Sequence, residues 1–290
     1  MATGDDRPFT FAVLGDLPYL PHETAFFPGL RAAIDEHPVA FVLHVGDIKS
    51  GRSDCNEALY RQRRAMLDAF AHPLILLFGD NDWTDCHRYW AGRYDPLERL
   101  ALLRRLFATG TESLGQRSIS LTRQSETDLD FRDYPENVRW TVAGVLFAGL
   151  HVVGSNNNRG RDAEADAEHR ARQRANLAWL HAAFARARDH RALVLAMHAN
   201  PWRSDRSVGS GYTALMEALR REVADFARPV VLVHGDGHVF RVDQPLTAPG
   251  RERPFSGFTR MQTPGSPRLR WVHVTVSAGP RPKFAFAERP

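Results

Sequence analysis

The sequence predicts an α/β fold, a mainly parallel sheet flanked by helices, with a second sheet packed on it. Three observations carry that reading. The first half of the chain alternates apolar, β-rich runs with amphipathic helical stretches in the order βαβαβα, which implies parallel strands joined by right-handed crossovers. The chain closes on strand-like runs, which implies the second sheet. Five segments place Asp or His where an apolar run stops: Gly15-Asp16, Gly46-Asp47, Gly79-Asp80-Asn81-Asp82, Met197-His198 and His234-Gly235-Asp236-Gly237-His238. Ligands of open α/β sheets bind beyond the carboxyl ends of the strands, so these residues are predicted to meet at one edge.

The elements follow in order. TFAVLGD is a strand, and ETAFFPGLRAAIDEH a helix with Pro28 placed awkwardly inside it. AFVLHVGD and PLILLFGD are strands, each followed by a helix, NEALYRQRRAMLDAF and DPLERLALLRRLFA. Residues 109–135 have few periodic apolar positions and read as a long loop near the active edge. NVRWTVAGVLFAGLHVVGS reads as a hairpin turning at Ala143-Gly144. ADAEHRARQRANLAWLHAAFARAR is a long helix, ALVLAMH a strand, GYTALMEALRREVADF a helix and PVVLVHGD a strand. In the tail, VFRVD, LRWVHVTVSA and KFAFA are strand-like, with a Pro/Gly-rich loop over 245–267. The 290 residues, 43% of them hydrophobic, suffice for one large core. No repeat or linker divides them, so 1–290 is read as a single unit.

The net charge of +4 is carried almost wholly by Arg, since the only lysines are Lys49 and Lys283. Arg is spread along helices that also carry Asp and Glu, so no dedicated nucleic-acid surface is expected. No apolar run is long enough to span a membrane. The N-terminus, MATGDDRPF, lacks signal-peptide character, so a cytoplasmic location is the default. A periplasmic or secreted location follows if a signal was removed and Cys55 pairs with Cys86. Each cysteine follows an Asp-bearing strand end by fewer than ten residues, so the thiols meet if those strands are neighbours; the alternative is two free thiols in loops.

One Gly-Asp after a strand is weak evidence, because turns and caps use Asp constantly. Five such ends in one chain, two of them with His, point to a cluster of metal ligands. Their order resembles the calcineurin-like metallophosphoesterases, whose motifs run Asp-x-His, Gly-Asp-x-x-x-x-Gly, Gly-Asn-His-Asp/Glu, a lone His and Gly-His-x-His. The corresponding segments are Asp16-Leu17-Pro18, Gly46-Asp47-Ile48-Lys49-Ser50-Gly51, Gly79-Asp80-Asn81-Asp82, His198 and Gly235-Asp236-Gly237-His238, over roughly residues 9 to 240. The resemblance implies a four-layer α/β/β/α sandwich. It also implies hydrolysis of a phosphomonoester or phosphodiester, a small-molecule substrate, by a metal-bound hydroxide. Asp47 would bridge two metals, with Asp16 and His238 on the first and Asp80 and His198 on the second.

The departures change the chemistry. Pro18 stands where the family has a His ligand, Asp80 where it has Asn, and Asn81 where it has the His near the leaving group. Asp236 replaces the first His of the last pair, and His234, two residues earlier, is an alternative ligand. A carboxylate-rich set favours hard ions, so two divalent ions are expected, Mn or Mg ahead of Fe or Zn. Asn81 cannot donate a proton as an acid and is left to hydrogen-bond a phosphoryl oxygen. His87 is then the candidate acid, with Asp82 orienting Asn81 or a water. Lys49 in the metal loop and Asn156, Asn157 and Arg159 after a buried strand are candidate substrate contacts. The rival reading is a degenerate relative that binds metal without turnover, which Pro18 and Asn81 support. An esterase with a serine nucleophile lacks its G-x-S-x-G elbow.

Overall fold

The computed structural model describes residues 6–202, 210–248, 250 and 253–290. The first five residues of the polar N-terminus, and residues 249, 251 and 252 of the Pro/Gly-rich segment, lie outside that set. The first sheet contains β1 (Phe9–Leu14), β2 (Val42–His44) and β3 (Leu74–Leu76), linked by α1 (Pro21–Asp35) and α2 (Glu57–Asp68) and followed by α3 (Pro96–Phe107). These three strands are parallel, as expected from βαβαβα. The second sheet contains β4 (Thr122–Arg123), β5 (Val138–Val142), β6 (Val145–Gly149), β7 (Ala192–Ala196) and β8 (Val230–His234). Helices α4 (Ala163–Ala187) and α5 (Thr213–Asp225) link β6 to β7 and β7 to β8.

The tail does not build the second sheet. It is shared between the two. β9 (Arg241–Asp243) and β10 (Phe258–Gln262) extend the second, whereas β11 (Trp271–Val276) and β12 (Phe284–Arg289) extend the first. The final orders are β12-β11-β1-β2-β3 and β4-β5-β6-β7-β8-β10-β9. β10 falls inside the segment expected to be a loop. It pairs in parallel with β8, and its buried Arg260 donates to Asp243 on β9 at 2.7 Å. A charged residue at the centre of a five-residue run hides a strand from any apolar pattern.

Strand alternation explains the layers. Phe11 and Val13 of β1, with Phe41, Leu43 and Val45, face Trp140, Phe147, Val194, Val231 and Val233 across the inter-sheet core. Ala12 and Leu14 face α1, α2 and α3 through Phe27, Ile34, Tyr60 and Leu103. Leu193, Leu195 and Leu232 face α4 and α5 through Trp179, Phe184, Leu215 and Leu219. The order is therefore helices, sheet, sheet, helices. Side chains cap the helix starts: Asn56 accepts from Leu59 N at 2.8 Å, Asp95 from Leu97 N at 2.8 Å and Asp162 from Ala165 N at 2.7 Å. Pro28 sits on the exposed face of α1, away from the buried Phe27 and Leu30, and its ring leaves one helical hydrogen bond unmade there. The β5–β6 hairpin turns at Ala143-Gly144, both with positive φ (43° and 72°), as a two-residue primed turn requires.

The long segment before β5 is largely irregular, with one short strand, β4. Its first part lies at the opposite end from the candidate ligands, because Leu114 bridges Leu74 at the start of β3. Its second part returns beyond the carboxyl end of β6, where Glu136 and Asn137 hold His151. Only this second part meets the expectation of an excursion near the active edge.

Candidate metal centre

The carboxyl ends of β1, β2 and β3 deliver Asp16, Asp47 and Asp80, and those of β7 and β8 deliver His198, Asp236 and His238. One ligand atom from each of Asp16, Asp47 and His198 lies within 4.8 Å of the others, and the same holds for Asp80, His198 and Asp236. His198 is common to both groups. It shares the parity of Val194 and Ala196, so it points into the gap between the sheets. There its Nδ1 donates to Val45 O of the facing sheet at 2.9 Å, which fixes the tautomer and leaves Nε2 towards Asp80 Oδ1 (3.0 Å) and Asp47 Oδ1 (3.5 Å). His238 is held in the same manner. Its Nδ1 donates to Ser266 O at 2.7 Å, and Nε2 lies 3.3 Å from Asp16 Oδ1.

Two local devices let these groups crowd. At Gly79 a Cβ would lie 2.0 Å from Asp47 Oδ1, and at Gly154 one would lie 2.4 Å from Asp80 Oδ1, so both positions require glycine. The backbone also bends sharply. Ten non-glycine residues among those described have positive φ, and eight of them assemble this edge: Asp16, Asp47, Asp236, His238 and the run 155–158. Such conformations cost on the order of 1–3 kcal/mol each, and they concentrate where a site over-determines them.

Electrostatics decide what the cluster can hold. Burial, together with the charges of Asp80, Asp82 and Asp16, pushes Asp47 well above the usual carboxylate range, against the pull of His198. Asp80 is also penalised by burial, yet His198 and the Ser155 hydroxyl hold it down to about 2. Asp236 is pushed up to about 6 by burial and Asp80. Burial opposes protonation of His198, but Asp47 and Asp80 raise it well above its ordinary value. Among the described residues the groups of opposite charge paired with Asp16, Asp47 and Asp80 are imidazoles, and no Lys or Arg pairs with them. Crowded buried carboxylates without a built-in guanidinium or ammonium, with imidazoles oriented by backbone carbonyls, fit hard divalent ions.

Several predicted residues stand elsewhere. Asp82 makes no hydrogen bond to Asn81 among the described residues. It accepts from Asp47 N (2.9 Å), Ile48 N (2.9 Å) and Gly79 N (2.7 Å), and so clamps the loop that carries Asp47. Lys49 is buried, and its Nζ bonds Ser50 O and Ser53 O rather than reaching the cluster. His87 is exposed, with Nδ1 on Thr84 O at 2.7 Å, and makes no contact with the carboxylates. Asn156 binds Gly211 N and Arg159 O, Asn157 binds Arg172, Gly211 and Tyr212, and Arg159 reaches Ser210 O. These contacts shape the loop. His234 shares the parity of Leu232, so it faces the helical layer, where its ring lies 6.0 Å from that of Trp202. Its Nε2 is buried without a partner, and it joins neither ligand group, whereas Asp236 does. Asn81 does reach the cluster, its N and Nδ2 lying 3.0 and 2.5 Å from the Asp47 carboxylate.

Three residues at this edge were not anticipated. Tyr19 donates to Asp47 Oδ2 at 2.6 Å and accepts from Asn81 Nδ2 at 3.0 Å. Ser155 Oγ lies 2.8 Å from Asp80 Oδ2 and 2.9 Å from Asp85 Oδ1, and burial raises Asp85 to about 7, so one proton shared along this row satisfies it. Arg88 pairs with Asp85 Oδ2 at 2.8 Å. The local signal for Tyr19 is its place three residues after Asp16. Ser155 carries none, because its role arises only when β3 and β6 are brought together, whereas Arg88 pairs locally, three residues after Asp85. The disulfide left open by the sequence is formed: Cys55 and Cys86 tie the loop after Asp47 to the loop after Asp80.

Two face-to-face sheets with helices outside, and strand ends that gather Asp and His, define a metallophosphoesterase fold. The chain belongs to the calcineurin-like phosphoesterase family, whose profile matches residues 9–240. At the level of that family the activity is metal-dependent phosphoester hydrolysis, and the implied cofactors are divalent metal ions. Among solved structures it is similar to a dimetal phosphatase from Danio rerio, with 15% identity, a TM-score of 0.57 and coverage of 95% of this chain and 98% of that one. It is similar to PhoD, with 13% identity, a TM-score of 0.57 and coverage of 98% and 69%. It is also similar to the purple acid phosphatase PPD1 from yellow lupin (Lupinus luteus) seeds, with 12% identity, a TM-score of 0.52 and coverage of 96% and 51%. At such identities the likeness speaks for the fold alone. No curated protein matches the chain by sequence.

Proposed function

We propose that this chain hydrolyses a small phosphomonoester or phosphodiester, using two divalent ions, Mn or Mg ahead of Fe or Zn. The observation that carries the reading is the pair of ligand groups sharing His198, one with Asp16 and Asp47 and the other with Asp80 and Asp236. His238, on Asp16, completes the first group. When bound, the ions supply Lewis acidity and an activated nucleophile. The chain's own residues do the rest. Asn81 holds its side-chain amide at the cluster on Asp47 and Tyr19, from where it turns to a phosphoryl oxygen, and Tyr19 and Asp82 hold Asp47 in place. The inter-sheet core, fed by strands from both halves and from the tail, supports treating 1–290 as one unit. The Cys55–Cys86 bridge favours an oxidising compartment over the cytoplasmic default.

Asn81 donates no proton as an acid, and His87 makes no contact with the carboxylates, so the leaving oxygen lacks a dedicated acid from either. Hydrolysis should therefore depend steeply on leaving-group acidity. Elemental analysis of protein purified without chelators should find about two divalent ions per chain. A panel of aryl phosphates assayed with Mn²⁺ should then give rates that climb with leaving-group acidity. Bound metal with no turnover across the panel would instead make the chain the non-catalytic relative, a reading that Asn81 at the family's imidazole position favours.

A further inference from the structure

Cations able to meet a substrate are scarce at this edge, since Lys49 is turned inward. Among the described residues, Arg88 is an exposed cation placed beside the Asn81 amide. A Cβ placed on Gly51 would lie 2.6 Å from Asn81 Oδ1 and 3.2 Å from Arg88 Nη1, so the guanidinium and the Asn81 amide flank the same glycine at the mouth of the centre. The Arg88 side chain is 36% exposed and pairs with Asp85, which leaves other donors of its fork open to an anion. The next two residues are Tyr89 and Trp90, 73% and 56% exposed. Single exposed rings need no explanation. Here, however, four of the seven exposed large apolar side chains among the described residues adjoin residues of the site: Leu20 follows Tyr19, Val239 follows His238, and Tyr89 and Trp90 follow Arg88.

The loop that carries the two rings is fixed. Cys86 is tied to Cys55, Arg88 N donates to Asp85 O, Ala91 N to Arg88 O, Tyr94 N to Cys86 O and Cys55 N to Ala91 O. The Arg93 guanidinium lies 4.7 Å over the Tyr89 ring. Rings held rigidly in water lose little entropy on binding and offer flat faces to a planar partner.

We infer that Arg88, Tyr89 and Trp90, with Leu20 and Val239, form a subsite that selects phosphoesters carrying a planar aromatic group beside the scissile phosphate. This rests on the hydrolytic reading of the metal centre, and the test separates the two. Phenyl-, butyl- and methylphosphonate resist hydrolysis and share one anionic head. Their binding to the Mn²⁺-loaded protein is measured by calorimetry and does not depend on turnover. The phenyl compound should bind about ten-fold tighter than the methyl and several-fold tighter than the butyl, as expected for one stacked ring. Trp90→Ser and the Tyr89→Ser/Trp90→Ser pair should bring the phenyl-to-methyl ratio towards one. Methylphosphonate binding reports whether the centre survives in each variant, and if the pair loses it, Trp90→Ser alone is read. Equal affinities for the phenyl and butyl compounds in the unaltered protein overturn the subsite. Absence of turnover on every ester, with the ratio retained, counts against hydrolysis and leaves the subsite standing.

Discussion

Glu136 and Asp47 are both buried carboxylates near the same edge, and the fold treats them in opposite ways. Glu136 carries its counter-charge with it. Arg104 donates to it at 2.9 and 2.6 Å, and His151 donates Nδ1–H at 2.7 Å while accepting from Trp83 Nε1 at 3.1 Å. Burial alone would raise its pKa, but Arg104 and His151 hold it far below the usual carboxylate range. Asp47 has no guanidinium partner, and its counter-charge is the His198 imidazole at 3.5 Å. Asp47 faces Asp80, Asp82 and Asp16, and burial pushes it up. The contrast separates a structural carboxylate, neutralised within the fold, from one whose neutralisation is left to something outside the chain. On the proposed reading, Asp16, Asp47 and Asp80 hold metal because the fold withholds from them the guanidinium it gives Glu136.

The sharpest break of this comparison is Asp47→Asn. Asp47 belongs to one ligand group and lies 3.5 Å from the His198 that links both. Its loss should remove bound metal and lower kcat/KM by on the order of 10²–10³-fold, matching a few kcal/mol of charge stabilisation. The metal-free chain should respond in the other direction. An acid whose folded pKa is raised destabilises the fold once pH exceeds its ordinary value of 3.8. Thermal unfolding in chelator at neutral pH should therefore show Asp47→Asn at least as stable as the unaltered protein. A marked fall in that melting temperature would mean that Asp47 is a structural group like Glu136.

Glu136→Gln should give the opposite result. Removing one side of a buried ion pair costs about 3–5 kcal/mol. The pH dependence has a definite sign, because the Glu136 pKa is depressed by folding. Its stabilisation is complete above the ordinary value of 4.5 and is lost as pH falls towards the folded-state value. Denaturant unfolding between pH 7 and pH 3 should show a weaker acid limb in Glu136→Gln than in the unaltered protein, with metal content unchanged.

The disulfide sharpens the comparison from the side of the metal loops. Cys55→Ser/Cys86→Ser releases a loop of 31 residues that joins the Asp47 and Asp80 segments. Chain entropy assigns such a loop about 3–4 kcal/mol. Thermal unfolding should show a melting temperature lower by about 5–10 °C, and calorimetric titration with Mn²⁺ should show weaker binding. Equal metal affinity would confine the bridge to stability alone.

What was legible in the sequence follows the same division. β1, β2, β3, β7 and β8 could be read because each apolar run stops at an Asp or His within two or three residues, a signal local to the chain. β10 could not, since its buried Arg260 makes sense only beside Asp243 on a neighbouring strand. The candidate ligands could be placed at one edge for the same local reason, and strand parity separates His198 from His234. Lys49, Asn156 and Asn157 suggest substrate contact by residue type alone. Only the folded chain supplies the carbonyls, amides and guanidinium that claim their polar groups. The Ser155–Asp85 contact and the His151–Trp83 link of the Glu136 network span 70 and 68 residues of sequence, and no pattern of spacing announces them.

Tyr19 supplies the smallest expected effect and the finest probe. Its hydroxyl lies between Asp47 and Asn81, so it either holds Asp47 through the same network as Asn81 or acts by itself. Loss of one hydrogen bond is worth about 1 kcal/mol, so Tyr19→Phe should lower kcat/KM by roughly five-fold. A double-mutant cycle with Asn81→Ala decides between the two roles. If Tyr19 and Asn81 act on the Asp47 carboxylate together, the paired variant should lose less than the product of the single losses, because the two groups also bond each other and either change alone loosens the one that remains on Oδ2. Strictly multiplicative losses would show that the phenol serves the centre independently of Asn81. In that case the substitution of Asn81 for the family's imidazole would have no compensation from Tyr19.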